Sequence, residues 1–268
     1  MTTTDENDHH HVGAAALVRE LSPRIAEAEL THLERNAIDL DLARRQHAGY
    51  VALLARHGLE ILTLPPLPEH PDGVFVEDVV VVVEDTAVLT RPGAPSRRGE
   101  VKSVRAPLEA HGLRIAQIDP PGTLDGGDVL QVGTTVYVGA TSRSSEDGAA
   151  QLARLLAPLG RTVVRVPVAG ALHLKSAATA LPDGTIVAVP GCVPHDAFTG
   201  HEVIDALEPA GGDVLLLGST VIVSASAPRT AERIAARGFD VELVQASELE
   251  KAESGVTCMS VLLGPARR

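Results

Sequence analysis

Cys258 sits in Glu253-Ser-Gly-Val-Thr-Cys-Met-Ser, where Gly255 loosens the approach and an apolar run follows. That pattern puts the sulfur at the mouth of a strand. A thiolate there can attack an electrophilic carbon if a neighbour handles protons. The ordinary alternative is a small buried hydrophobe. Cys192, in Pro190-Gly-Cys-Val-Pro, keeps that ordinary reading. His173, in Ala171-Leu-His-Leu-Lys-Ser176, reads as a strand residue on a face made polar by Lys175 and Ser176. An imidazole there is either a satisfied core group or the thiol's proton partner. Asp72, Glu77 and Asp78 place three carboxylates within seven residues, and the last two open a pure valine run. Carboxylates at the end of a buried strand suit a planar cation, because guanidinium presents a fork of donors. Thr123-Leu-Asp125-Gly-Gly-Asp128 is a second acidic turn, whose paired glycines allow backbone to approach a ligand closely. Two loops carry arginines: Arg91, Arg97 and Arg98 in the first, Arg143 in the second. Carboxylates for a guanidinium and arginines for an α-carboxylate together describe a site for a guanidino amino acid.

The positioning elements follow a repeat. An acidic residue, a short apolar run, a turn and a second apolar run recur as Asp78-VVVVV-Glu84-Asp85-TAVLT, Asp128-VLQV-Gly133-TTVYVG and Asp213-VLLL-Gly218-STVIVSA. LKSAATAL-Pro182-Asp183-Gly184-TIVAVP is a copy without the leading acid, and VLLGP after Ser260 is a partial fifth. Turn residues between apolar runs signal hairpins. Helical spacing predicts helices over Ala14–Leu30, Leu40–His57, Gly99–His111, Asp147–Leu156, Gly200–Leu207 and Pro228–Arg237, with Asp39 or Asp41 capping the second. Leu59–Leu64 reads as a strand. Successive hairpin-plus-helix units can close radially into one α/β domain with an axial pocket.

Composition removes other classes. The 268 residues are 44% hydrophobic and 22% charged, which is ordinary globular composition. Aromatics are 2% with no Trp, so a base-stacking platform is excluded. The net charge of −12 argues against phosphate backbones and anionic membranes. No apolar stretch reaches the roughly 20 residues of a membrane span. The polar start reads as a loose tail over residues 1–12, including His9, His10 and His11, and not as a signal peptide. Two cysteines suit a reducing cytoplasm better than a disulfide framework. Metal-ligand spacings, Walker and Gly-X-Gly-X-X-Gly motifs and the Gly-X-Ser-X-Gly elbow are all missing, so neither cofactor nor metal is expected.

Taken in order, PDGVFVEDVVVV, TRPGAPSRRGEV, TLDGGDVL, LHLKS and SELEKAESGVTCMSVL resemble the dimethylarginine dimethylaminohydrolase family of the guanidine-modifying pentein superfamily. The resemblance runs from about residue 18 to the C-terminus. It implies a five-bladed α/β propeller with a central active site, in one catalytic domain over residues 13–268. It implies hydrolysis of Nω-methylated arginine to L-citrulline through a cysteine thiouronium, with no cofactor. Cys258 would be the nucleophile, His173 the general acid and base, and Asp125 its orienting partner. Asp78 with Glu77 would hold the guanidinium, and Asp72 the α-amino group. Arg97, preferred to Arg98 by its spacing from Asp78, and Arg143 would bind the α-carboxylate. Leu21 would belong to a lid, and the backbone near Ala252 would touch substrate. Ser254 and Gly255 depart from the family pattern, which bears on substrate choice. The implied partner is a small guanidino amino acid, with neither nucleic acid nor membrane; a homodimer is compatible with the sequence. The other functions in view are deimination of free arginine or another guanidine, and ligand binding without catalysis.

Overall fold

A computed structural model describes residues 15–266; the expected tail over residues 1–12 lies outside them. Along the chain the elements are β1 (Ala15–Arg19), α1 (Leu40–Arg56), β2 (Glu60–Leu64), β3 (Val80–Val83), β4 (Thr86–Leu89), α2 (Lys102–Ala110), β5 (Arg114–Gln117), β6 (Val129–Val132), β7 (Thr135–Ala140), α3 (Glu146–Leu156) and β8 (Thr162–Pro167). There follow α4 (Leu174–Ala177), β9 (Ala178–Ala180), β10 (Ile186–Ala188), β11 (Val203–Asp205), β12 (Val214–Leu217), β13 (Thr220–Ser224), α5 (Pro228–Ala235), β14 (Asp240–Val244), α6 (Ser247–Glu250) and β15 (Ser260–Leu263).

These strands form five three-stranded sheets, each an antiparallel pair followed by a parallel third strand. A parallel partner needs a crossover, and α2, α3 and α5 supply three of them. The fifth sheet joins the two ends of the chain: β1 pairs antiparallel with β15 and parallel with β2. The two-residue turns after β3, β6 and β12 each begin with a left-handed residue, Glu84, Gly133 and Gly218. Such backbone matches the twist of a tight hairpin. One edge strand of each sheet (β3, β6, β9, β12 and β15) faces a common axial cavity of about 310 Å³. The five-bladed α/β expectation therefore describes the observed architecture.

The core lies between the blades and the outer helices and is built of Val, Leu, Ile and Ala, with Tyr50, Tyr137, Phe75 and Phe198 the buried rings. Each fully buried Val or Leu contributes roughly 1.5–3 kcal/mol, so many small contacts replace a few aromatic ones. α1 starts where Asp39 accepts from the Leu42 amide at 2.9 Å. α3 starts where Ser145 accepts from Gly148 at 3.1 Å. No described helix is long and apolar enough to cross a membrane.

Two predicted helices are strands. The helix expected over 14–30 gives way to β1, because Ala15–Val18 is paired on both sides and buried throughout. A short 3-10 turn at Ile25–Glu27 is the helical element that follows. The helix expected over 200–207 gives way to β11, which completes the third blade beside β10. In both places sheet pairing outweighs local spacing.

Candidate active site

The acidic residues of the repeat stitch neighbouring blades together at one end of the axis. The Gly127 amide donates to Asp78 Oδ1, the Leu174 amide to Asp128 Oδ1 and the Thr257 amide to Asp213 Oδ1, each at 3.0 Å. Each carboxylate thus fixes the loop of the next hairpin. Those loops carry Asp125, His173 and Cys258. The fold places the three side chains through this stitching.

His173 lies just before α4, in extended backbone and not inside a strand. Its ring is held between two carboxylates: Nε2 is 3.0 Å from Asp125 Oδ2 and Nδ1 is 3.7 Å from Asp78 Oδ1. Asp125 is fully buried, accepts from Gly93 N at 2.8 Å and is anchored through its own amide by Ser144 Oγ at 3.1 Å. Gly127 makes this packing possible: a Cβ there would lie 2.6 Å from His173 Nδ1 and 2.7 Å from Asp78 Oδ1. Burial alone would push His173 down, but Asp78, Asp125 and Asp128 outweigh it and hold the imidazolium up to about 9. Asp78 shows the reverse balance. Burial raises it, yet His173, Arg97 and the Gly127 amide bring it down to about 2. At neutral pH the pair is therefore a protonated imidazole beside an ionised carboxylate.

Cys258 is buried two residues before β15, as its sequence context predicts. The Gly255 amide donates to Sγ at 3.3 Å, and Sγ lies 3.9 Å from Asp213 Oδ2. Burial, then Asp213, Glu77 and Asp78, push the thiol well above its ordinary value.

One pocket gathers Asp72, Asp78, Arg97, Arg143, His173, Ala252 and Cys258. Arg97 is nearly saturated, pairing with Asp78 and Glu100 and donating to the Asp72 and Phe75 carbonyls. Arg98 instead donates to Pro92 O at 3.0 Å and is not part of the pocket wall. Arg143 has longer contacts, with Thr31 Oγ1 at 3.3 Å, Glu29 at 3.6 Å and Asp125 at 3.7 Å. Burial raises Asp72 to about 6, and both its oxygens face the Glu29 amide at 3.2 Å.

Two residues expected at the site lie elsewhere. Glu77 is turned from this pocket toward the axial cavity, where it accepts from Lys175 and, at 2.9 Å, from Thr257 Oγ1. Successive carboxylates at the blade entrance line two different cavities. Leu21 packs in the core beside Ile25 and Leu53 and is not in the pocket wall. The wall there is supplied by Glu29, with Glu253 and Ser254 opposite. Sequence reasoning missed Glu29 because a charged residue in an irregular segment carries no motif. Glu253 and Ser254 adjoin the quoted cysteine motif, and that proximity was the available signal.

Among the described residues, the donor atoms of Asp78, Asp125 and His173 lie within 4.8 Å of one another. Each already has a protein partner, and Asp78 is claimed by Arg97. The trio is arranged for holding a proton.

No protein-family model matches the chain. It is 46% identical over 255 residues to an N(G),N(G)-dimethylarginine dimethylaminohydrolase of Streptomyces coelicolor, covering 92% of this chain and 96% of that protein. It is 34% identical over 226 residues to the Pseudomonas aeruginosa enzyme of the same name, covering 83% of this chain and 89% of that protein. A solved structure of the Pseudomonas aeruginosa enzyme, a cysteine-to-serine mutant with citrulline, superposes with a TM-score of 0.88 at 31% identity over 93% of this chain and 99% of that one. The N-terminal domain of ArgZ, a cyanobacterial arginine dihydrolase, shares the fold with a TM-score of 0.82 at 18% identity, covering 94% of this chain and 99% of that one.

Proposed function

The chain belongs to the dimethylarginine dimethylaminohydrolase family, and from that premise we propose how its pocket performs the reaction. The enzyme hydrolyses Nω-methylated arginine to L-citrulline, releasing dimethylamine or methylamine. The observation that carries the residue assignment is the convergence of a thiol, a protonated imidazole and an ionised carboxylate on one pocket.

Asp78 faces the guanidinium and turns its central carbon toward Cys258 Sγ. Arg143 exchanges its long contacts for the substrate's α-carboxylate, with Arg97 alongside, fixing Asp78. Asp72 and the backbone of the Glu29 segment meet the α-amino group, and Ala252 borders it. Cys258 gives up its proton to solvent, the thiolate sulfur bonds to the guanidinium carbon, and the carbon's π electrons move to nitrogen. His173 donates its proton to the substituted nitrogen, and the C–N bond breaks to release the amine. An S-alkylthiouronium remains on Cys258. Neutral His173 then takes a proton from water as its oxygen bonds to the same carbon. The C–S bond breaks, the added hydroxyl's proton passes to the departing sulfur, and neutral citrulline leaves with the thiol and the charged His173 restored. Asp125 keeps the ring oriented and favours its charged form throughout. Glu77, engaged by Lys175 and Thr257, supports the floor beneath the nucleophile and does not touch the guanidinium.

As part of the same proposal, residues 13–268 act as one catalytic domain in the cytoplasm, where two free thiols suit a reducing compartment. The test of the assignment is mass spectrometry of acid-quenched His173→Ala after mixing with S-methyl-L-thiocitrulline, the ligand of the adduct seen in a solved relative. A thiouronium adduct on the Cys258 peptide is expected, because a methanethiolate leaves without a proton from His173 while the water step still needs its base. An adduct on Cys192, or none on Cys258, would overturn the assignment.

A further inference from the structure

One residue of the pocket wall touches both groups assigned to the substrate's amino-acid head. The Glu29 amide donates to both Asp72 oxygens at 3.2 Å. Its carboxylate lies 3.6 Å from Arg143. Asp72 therefore holds a donor where an α-ammonium would bind, and Arg143 faces a carboxylate where an α-carboxylate would bind. A single residue reproduces the polarity of the zwitterion.

We propose that Glu29 is a stand-in for the substrate's head group: its side chain pairs with Arg143 in the empty site and must yield to a ligand's α-carboxylate, so it sets how tightly the pocket holds an amino acid. The inference rests on Arg143 and Asp72 being the head-group residues. The need for a stand-in follows from the surroundings of Arg143, whose side chain is 8% exposed. Asp125, 3.7 Å away, already accepts from the Gly93 amide and faces the His173 ring. Thr31 Oγ1, at 3.3 Å, is neutral. Glu29 supplies the charge that Arg143 otherwise lacks. Arg97 differs, because Asp78 and Glu100 neutralise it from within the fold. The stand-in is also built to leave. Its side chain is 40% exposed, and Ser96 Oγ donates to its other oxygen. It can move off Arg143 into water without becoming a stranded buried charge. Affinity for an amino acid is then reduced in proportion to the fraction of protein whose Arg143 is open. The same exchange run backward helps to expel citrulline, which carries the same head group. A guanidine without a head group does not reach Arg143 and leaves the stand-in where it is.

The experiment is calorimetric titration of citrulline and of N,N-dimethylguanidine into Cys258→Ser, in which the nucleophile is absent. Citrulline is net neutral, so its affinity does not report long-range attraction to the Glu29 charge. Adding Glu29→Gln should tighten citrulline about three- to fivefold, the worth of a half-exposed ion pair. Glu29→Ala should do the same. Neither should tighten dimethylguanidine. A merely structural wall residue would loosen citrulline when replaced. Arg143→Gln should weaken citrulline about tenfold or more. Glu29→Gln added to Arg143→Gln should bring no further tightening, because the stand-in has lost its cation. Citrulline affinity unchanged or weakened by both Glu29 variants would overturn the proposal, as would an equal tightening of dimethylguanidine. Citrulline affinity left intact by Arg143→Gln would instead overturn the head-group assignment beneath it.

Discussion

The chemistry turns on His173 being charged while buried. Removing Asp125's charge should therefore cost more than a hydrogen bond. Asp125→Asn is expected to lower kcat by about 10²-fold or more, with a smaller change in KM, in steady-state citrulline assays. Because the imidazolium is the acid for amine departure, wild-type activity should decline as pH rises through about 9, the value at which His173 loses its proton. At this scale the sequence names Cys258, His173, Asp78, Asp72, Arg97 and Arg143, because each sits in a motif whose residue types suit a guanidino amino acid, and the structure gathers them in one pocket wall with Asp125 behind His173. It sets Glu77 and Leu21 apart from that wall for separate reasons. The side chain of Glu77 follows its own backbone direction toward the axis, and Leu21 lies upstream of the segment that covers the pocket.

Elements decide how these residues are held. The segment covering the pocket is latched by Glu253, a left-handed residue whose carboxylate accepts from the amides of Thr31, His32 and Leu33. Three amides converging on one carboxylate make an anion nest, and the nest holds the segment that begins at Glu29, a residue of the pocket wall. Glu253→Ala should raise KM several-fold and leave kcat within about twofold, because the latch binds but does not react. Gly127→Ala should do the opposite. Its methyl would displace the His173 ring, so kcat should fall by about 10²-fold or more. Hairpins and crossover helices were legible because turn residues and 3.6-residue spacing are local. β1 and β11 were not, since their strand character comes from partners distant in sequence: β1 pairs with β15 across more than two hundred residues. The latch was hidden for the same reason, as Glu253 and Thr31 are 222 residues apart.

The whole molecule closes by pairing its two ends in one blade, and its stability carries the imprint of the buried charges. His173 is raised from 6.5 to about 9, so its contribution is complete below 6.5 and is lost as pH climbs through 9. Asp78 is depressed from 3.8 to about 2, so its contribution is present above 3.8 and is lost as pH falls through 2. Asp213 and Asp72 are raised to about 7 and about 6, so ionising them in the fold costs stability as pH rises above 3.8. Thermal unfolding should accordingly show Tm highest on the acidic side of neutrality and falling toward pH 9. Asp213→Asn should unfold a few degrees higher than wild type at pH 8 and lose that advantage near pH 4. The repeat made the five-bladed plan legible, but its acids read as one device. Only the three-dimensional arrangement separates Asp128, which stitches blades, from Asp78, which also faces the pocket.

The most direct measurement is product analysis with purified protein, asymmetric dimethylarginine and arginine supplied separately. Equimolar citrulline and dimethylamine from asymmetric dimethylarginine, lost in Cys258→Ser, is the predicted result. Citrulline and ammonia from arginine with no dimethylamine from the methylated substrate, or dimethylamine release that survives in Cys258→Ser, would contradict it.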